Sequence, residues 1–157
     1  MRTRTARSLL YLGGGLGLII SLFTAAEFYD ESLTKACSFN GFFSCAAIAH
    51  SGKTSTLGIP DWAWGVGGFI VILALAALAE RWPKDSRWAY LVLLVTSAGV
   101  AASLYFLYVE LGEVGALCPV CASAYVMGVV AWVGAIGLAQ RAYRRGHRAT
   151  ENAASAG

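Results

Sequence analysis

Four stretches of this chain carry no charged side chain: Ser8 to Ala26, Trp62 to Ala79, Trp88 to Val109 and Pro119 to Leu138. Each is 18 to 22 residues long. A helix rises ~1.5 Å per residue, so about 20 residues cross a hydrocarbon core roughly 30 Å thick. One such stretch can serve as the core helix of a soluble protein. Four within 157 residues leave too little polar sequence to cover a globule. The chain is 57% hydrophobic and only 13% charged, against roughly 25% charged in an average protein. The fold class expected is all-α and integral to the membrane. It is a four-transmembrane-helix bundle over residues 1–139, with spans at about 8–28, 62–79, 88–109 and 118–139.

The basic residues set the expected orientation. Arg2, Arg4 and Arg7 precede the first span, Arg81, Lys84 and Arg87 separate the second from the third, and Arg141, Arg144, Arg145 and Arg148 follow the fourth. Only Lys35 and Lys53 fall on the other side. Cytoplasmic segments are enriched in Lys and Arg, so both termini are expected in the cytoplasm of a multi-pass protein of the cell or inner membrane. The net charge of +3 is then a topology signal, and no nucleic-acid partner is implied. The Arg-rich start and Thr24-Ala25-Ala26 resemble a cleaved signal peptide. The apolar run of 19 residues exceeds the roughly 7–15 of a signal core, and it is read as a true first helix.

Phe28 to Asp61 forms the longest connection, an outer loop in which Ser44 is expected to cap a short helix, Cys45 to His50, closed by Ser51-Gly52. Phe39, Phe42 and Phe43 are expected to lie against the membrane surface. Glu80 to Arg87 reads as a tight polar turn, and Glu110 to Leu117 as a short second outer loop. Residues 140–157 read as a basic, disordered cytoplasmic tail. Gly13 and Gly17 form a small-xxx-small face suited to close helix packing. Trp62, Trp64 and Trp88 fit an interfacial aromatic belt.

All four cysteines fall on the expected outer side: Cys37 and Cys45 in the long loop, Cys118 and Cys121 at the head of the fourth span. Cysteines used as small apolar filler would scatter through the helices. An even set on the oxidising face reads as two disulfide pairs. In Cys118-Pro119-Val120-Cys121, Pro119 suits the first turn of a helix. Cys118 then stands at the N-cap, with Cys121 one turn later on the same face. The positive end of the helix dipole and its unpaired N–H groups suit a reactive, easily reduced pair. As a staple this pair closes almost no loop, which favours a redox role over a structural one. The Cys37/Cys45 pair alone is ambiguous between ordering the loop and exchanging thiols. With the fixed pair beside it, a relay becomes the economical reading. Zinc is disfavoured by the spacing and no metal is expected. With no nucleotide or flavin motif, the electron acceptor is expected to be lipid-soluble. Tyr125 and Asp61 are the polar groups at the depth to contact it.

Taken together, Cys37-x7-Cys45, Ser51 six residues later, Gly58-Ile59-Pro60 and Cys118-Pro119-Val120-Cys121 followed by Tyr125 resemble the vitamin K epoxide reductase family over about Leu9 to Leu138. The bacterial stand-alone members reoxidise a thioredoxin-fold dithiol oxidase of the DsbA type, with menaquinone or ubiquinone as acceptor. The resemblance implies that Cys45 exchanges with such a partner, acting in trans. It implies that Cys37 then attacks the second disulfide through Cys118, leaving Cys121 to face the quinone. Tyr125, Asp61 and Ser51 are implied quinone contacts. Asp61 departs from the amide often found near there, and a helix N-cap is the competing reading. The alternatives are vitamin K epoxide reduction proper, a DsbB-like oxidase (whose Cys-x-x-Cys lies in the first outer loop instead) and a non-enzymatic tetraspan scaffold with structural disulfides.

Overall fold

A computed structural model describes residues 3–38, 40–51, 55–56, 58–83 and 85–155. Arg2, Phe39, Gly52, Lys53 and Lys84, named above, lie outside the described residues. Four long helices form the bundle: α1 (Thr3–Tyr29), α4 (Asp61–Arg81), α5 (Ser86–Tyr108) and α6 (Pro119–Ser155). All four are long and apolar enough to cross a membrane, and the chain is a multi-pass membrane protein. Between α1 and α4 lie two short helices, α2 (Glu31–Ala36) and α3 (Cys45–His50), and a small antiparallel pair, β1 (Ser55–Thr56) with β2 (Ile59–Pro60). Gly58, at φ +76°, turns that pair, a backbone region other residues adopt at a cost.

The packing suits a lipid solvent. Ala76, Ala131 and Ala135 occupy the bundle centre with Leu10, Val92 and Phe69, while Leu12, Ile19, Leu94 and Leu104 face outward. Lipid tails are as apolar as leucine, so nothing drives large side chains inward, and close backbone approach provides the cohesion. Gly13 and Gly134 are the points of approach between α1 and α6. A Cβ at Gly13 would stand 2.6 Å from the Ala131 nitrogen, and one at Gly134 would stand 2.7 Å from the Leu10 nitrogen. The glycine face read from the sequence is thus a helix contact. Gly134→Val should lower stability by about 2–3 kcal/mol, since backbone cannot yield as a side chain can. Gly15→Ala, where a Cβ would meet nothing within 4 Å, should melt like the wild type in detergent. Equal melting of the two variants would disprove this account of the interface.

The short helix α3 has the predicted bounds and cap: the Ser44 Oγ accepts the Ala47 N–H at 3.2 Å. Two expectations are corrected. Residues 140–155, read as a disordered tail, continue α6. Apart from Gly146 this segment contains no strong helix breaker, and Arg145 donates to the Pro83 carbonyl at 3.0 Å across the turn between α4 and α5. Residues 110–114, read as loop, belong to a π-helical turn, Val109–Val114, that extends α5 and ends at Gly115 in the left-handed region, φ +72°.

The start of α1, the α4–α5 turn and the later part of α6 lie at one end of the bundle, as the Arg7–Glu80 ion pair at 3.1 Å and the Arg145–Pro83 hydrogen bond illustrate. The four cysteines lie at the other end.

Candidate redox site

The head of α6 is built around its first cysteine. Cys118 directly precedes the helix, its carbonyl accepts the Ala122 N–H at 2.9 Å, and its sulfur accepts the Cys121 N–H at 3.2 Å. This is the N-cap arrangement expected from the sequence, with sulfur in place of the usual oxygen. Cys118 and Cys121 are free thiols, 2% and 5% exposed.

The outer loop is fastened over this point by backbone pairing. Leu117 donates its N–H to the Phe42 carbonyl at 2.7 Å, and Ser44 donates to the Leu117 carbonyl at 3.3 Å. Phe43 and Leu117 thereby form a parallel bridge. Cys45 and Cys118 follow closely on the two sides of that bridge, so the pairing brings their sulfurs together at 3.4 Å. Cys45 is disulfide-bonded to Cys37, with Cα atoms 5.7 Å apart. All three sulfurs lie within 4.8 Å of one another. From below, α2 is tied to the end of α1, where the Thr34 hydroxyl donates to the Glu27 carbonyl at 2.5 Å.

The expectation from the resemblance put Cys37 against Cys118. In the structure Cys45 stands at van der Waals distance from Cys118, 3.4 Å, because the bridge register fixes the start of α3 there.

Two cavities meet at the cysteines. The smaller is bordered by Cys45, Cys118, Cys121 and the buried Glu27. The larger, about 110 Å³, runs between all four long helices and is walled mainly by apolar groups, among them Phe69, Ile72 and Phe106. Its rim includes exposed Trp64, Gly99 and Ala102 on the outer faces of α4 and α5, so it reaches the lipid-facing surface. Cys121 borders both cavities, together with Asp61, Trp62 and Thr24.

Of the residues singled out beforehand, Tyr125 and Asp61 line the larger cavity. Asp61 is not the N-cap; Pro60 holds that position, and Asp61 is the first helical residue, its Oδ1 accepting the Trp62 N–H at 2.7 Å. Ser51 stands apart from the lining of both cavities. It caps the end of α3, its hydroxyl donating to the Ile48 carbonyl at 2.8 Å.

Sequence reading missed Glu110. The π-helical turn keeps it on the inner face of α5, 1% exposed. One carboxyl oxygen accepts the Tyr125 hydroxyl at 2.8 Å and the other accepts the Cys118 N–H at 3.1 Å. A single acid therefore positions the tyrosine of the cavity and the head of the cysteine helix. The signal was present, since Glu110 and Glu113 are the two charges between Arg87 and Cys118, but a charge after an apolar run reads as the start of a loop.

A four-helix membrane bundle that seats a disulfide against a free dithiol, with the dithiol opening into a lipid-accessible cavity, defines a membrane thiol redox protein. The Vitamin K epoxide reductase family model matches residues 8–136, and the chain belongs to this family. Membership makes it a redox enzyme linked to quinone-type substrates.

Proposed function

We propose that the protein oxidises a dithiol partner of thioredoxin fold outside the cytoplasm and passes the electrons to a membrane quinone, menaquinone or ubiquinone. The observation that carries this reading is the contact of Cys45 with Cys118 at 3.4 Å, with Cys121 next in line and opening on the larger cavity.

The contact also suggests an order of transfer. A partner thiolate attacks Cys37 and releases Cys45; the partner's second thiol then frees Cys37, leaving the partner oxidised and the loop pair reduced. Cys45 next attacks Cys118 of a Cys118–Cys121 disulfide and releases Cys121. Cys37 resolves the Cys45–Cys118 bond, which restores the loop disulfide and leaves Cys118 and Cys121 as thiols. That distribution, a loop disulfide beside a free pair, is the one seen here. Finally Cys118 and Cys121 rejoin as a disulfide while two electrons and two protons go to the quinone, giving quinol. In this order Cys37 meets the partner and Cys45 meets Cys118, the reverse of the roles implied by the resemblance.

The chemistry of the larger cavity fits a flat, largely apolar ring: aromatic and aliphatic walls, a few polar groups at one end, and an opening toward lipid. The reading is tested by mixing the purified protein with a reduced thioredoxin-fold dithiol and a soluble quinone. Thiol loss should equal quinol gain, and thiol oxidation without quinol would refute it. The order is tested separately. Cys37→Ala should accumulate a Cys45–Cys118 disulfide, identified by peptide mapping without reduction. Capture of the partner at Cys45 in that variant would restore the opposite order.

A further inference from the structure

Among the described residues, one buried side-chain polar atom lacks a hydrogen-bond partner: the indole nitrogen Nε1 of Trp62. A buried N–H left unpaired is costly, and native proteins rarely tolerate one without a purpose. Trp132 shows the ordinary solution in the same bundle, its indole N–H donating to the Ser97 hydroxyl at 3.0 Å. Trp62 lies in the wall common to both cavities, beside Cys121 and Asp61. Its ring is fixed by an edge contact with Tyr29 at 6.1 Å and by its place in the first turn of α4.

Ser21 also lines the larger cavity, and the cavity's other hydroxyl donors are committed elsewhere. The hydroxyls of Thr24, Thr96 and Ser103 donate to carbonyls of their own helices at 3.0, 2.8 and 2.9 Å. The Tyr125 hydroxyl donates to Glu110. Asp61 already accepts from a backbone N–H.

We infer that the Trp62 indole N–H is the donor that holds the thiol-side carbonyl oxygen of the bound quinone, an inference that rests on the quinone reading above. The hydrogen bond orients the ring toward Cys121 and grows stronger as negative charge builds on that oxygen during reduction. Trp62 is thus a positioning and specificity residue for ligands that present a carbonyl acceptor at this end of the cavity.

The test uses the full-length protein in detergent with ubiquinone-1 as probe. Trp62→Phe keeps a ring against Tyr29 and removes the N–H. It should raise KM for ubiquinone-1 roughly five- to tenfold, the worth of one hydrogen bond, while single-turnover exchange between the loop disulfide and a dithiol partner stays at the wild-type rate. The infrared carbonyl band of bound ubiquinone-1 should move to higher frequency in the variant, a readout that altered packing alone would not produce. If Trp62→Phe does not fold, the wild type answers directly: one of its five indole N–H signals should shift on adding ubiquinone-1, and Trp62→Tyr should remove that signal. Unchanged KM and an unchanged carbonyl band, or no shifted indole signal, would overturn the Trp62 assignment alone. A wild type that neither binds nor reduces any quinone would sink the assignment and the acceptor reading together.

Discussion

Cys121→Ala is expected to lower quinone reduction by a thousandfold or more, on the order of the loss when a reacting nucleophile is removed from an enzyme, without impairing membrane insertion. Cys121 is the one cysteine among the residues that line the larger cavity, so no other described sulfur stands where a lipid-borne acceptor can meet it. Alanine is smaller and apolar, and the helix head keeps its main support because Cys118 still accepts the N–H at position 121. The loop pair is untouched, so a single round of exchange between a reduced partner and Cys37–Cys45 should proceed. The two activities therefore separate: loss of quinol formation in steady state, retention of one thiol equivalent pair in a rapid-mixing experiment. Full turnover in the variant would mean that electrons leave by a route that bypasses the second cysteine of the pair.

Glu110→Ala should be the most damaging change outside the cysteines. The carboxyl group is nearly inaccessible and both of its oxygens are engaged, with the Tyr125 hydroxyl and the Cys118 N–H. Its removal strands two buried donors at about 1–3 kcal/mol each, so the thermal or denaturant midpoint should fall by an amount equivalent to about 2–6 kcal/mol. Quinone reduction should also fall, roughly a hundredfold, because the cysteine helix and the cavity tyrosine lose their shared anchor. Glu110→Gln preserves the shape but offers one acceptor oxygen and one donor nitrogen to two donors, so it should lie between alanine and wild type. A double-mutant cycle with Tyr125→Phe isolates the tyrosine bond, for which a coupling of about 1–2 kcal/mol is expected. Additive effects in that cycle would show that the contact carries no coupling.

The parts legible in the sequence were those written by period, charge and local chemistry. Four uncharged runs of spanning length marked the long helices, Ser44 before Cys-Ala-Ala-Ile-Ala-His marked α3, and Pro119 behind Cys118 marked the head of α6. What escaped depends on long-range register. Cys37 and Cys45 are equivalent on paper; only the pairing of Phe42 and Ser44 with Leu117 decides which sulfur meets Cys118. Glu110 looked like a boundary because charge after an apolar run ordinarily means water. The π-helical turn instead rotates it inward, and no local signal announces that widening. Trp62 reads as an interfacial aromatic, and no local signal announces that its indole nitrogen is buried without a partner. The basic segment after Leu138 was judged by its charge, whereas its alanines and arginines are good helix formers that simply prolong α6.

The short backbone bridge at Phe43 and Leu117 has a consequence for selectivity. It presses the loop onto the bundle so that all four sulfurs are 7% exposed or less. Under the proposed function, small thiols in the surrounding fluid meet a sealed contact, and random collisions should pass few electrons to the acceptor. A protein partner of the proposed kind, with its own binding surface, could supply the energy to part those few hydrogen bonds, so recognition would decide admission before any sulfur reacts.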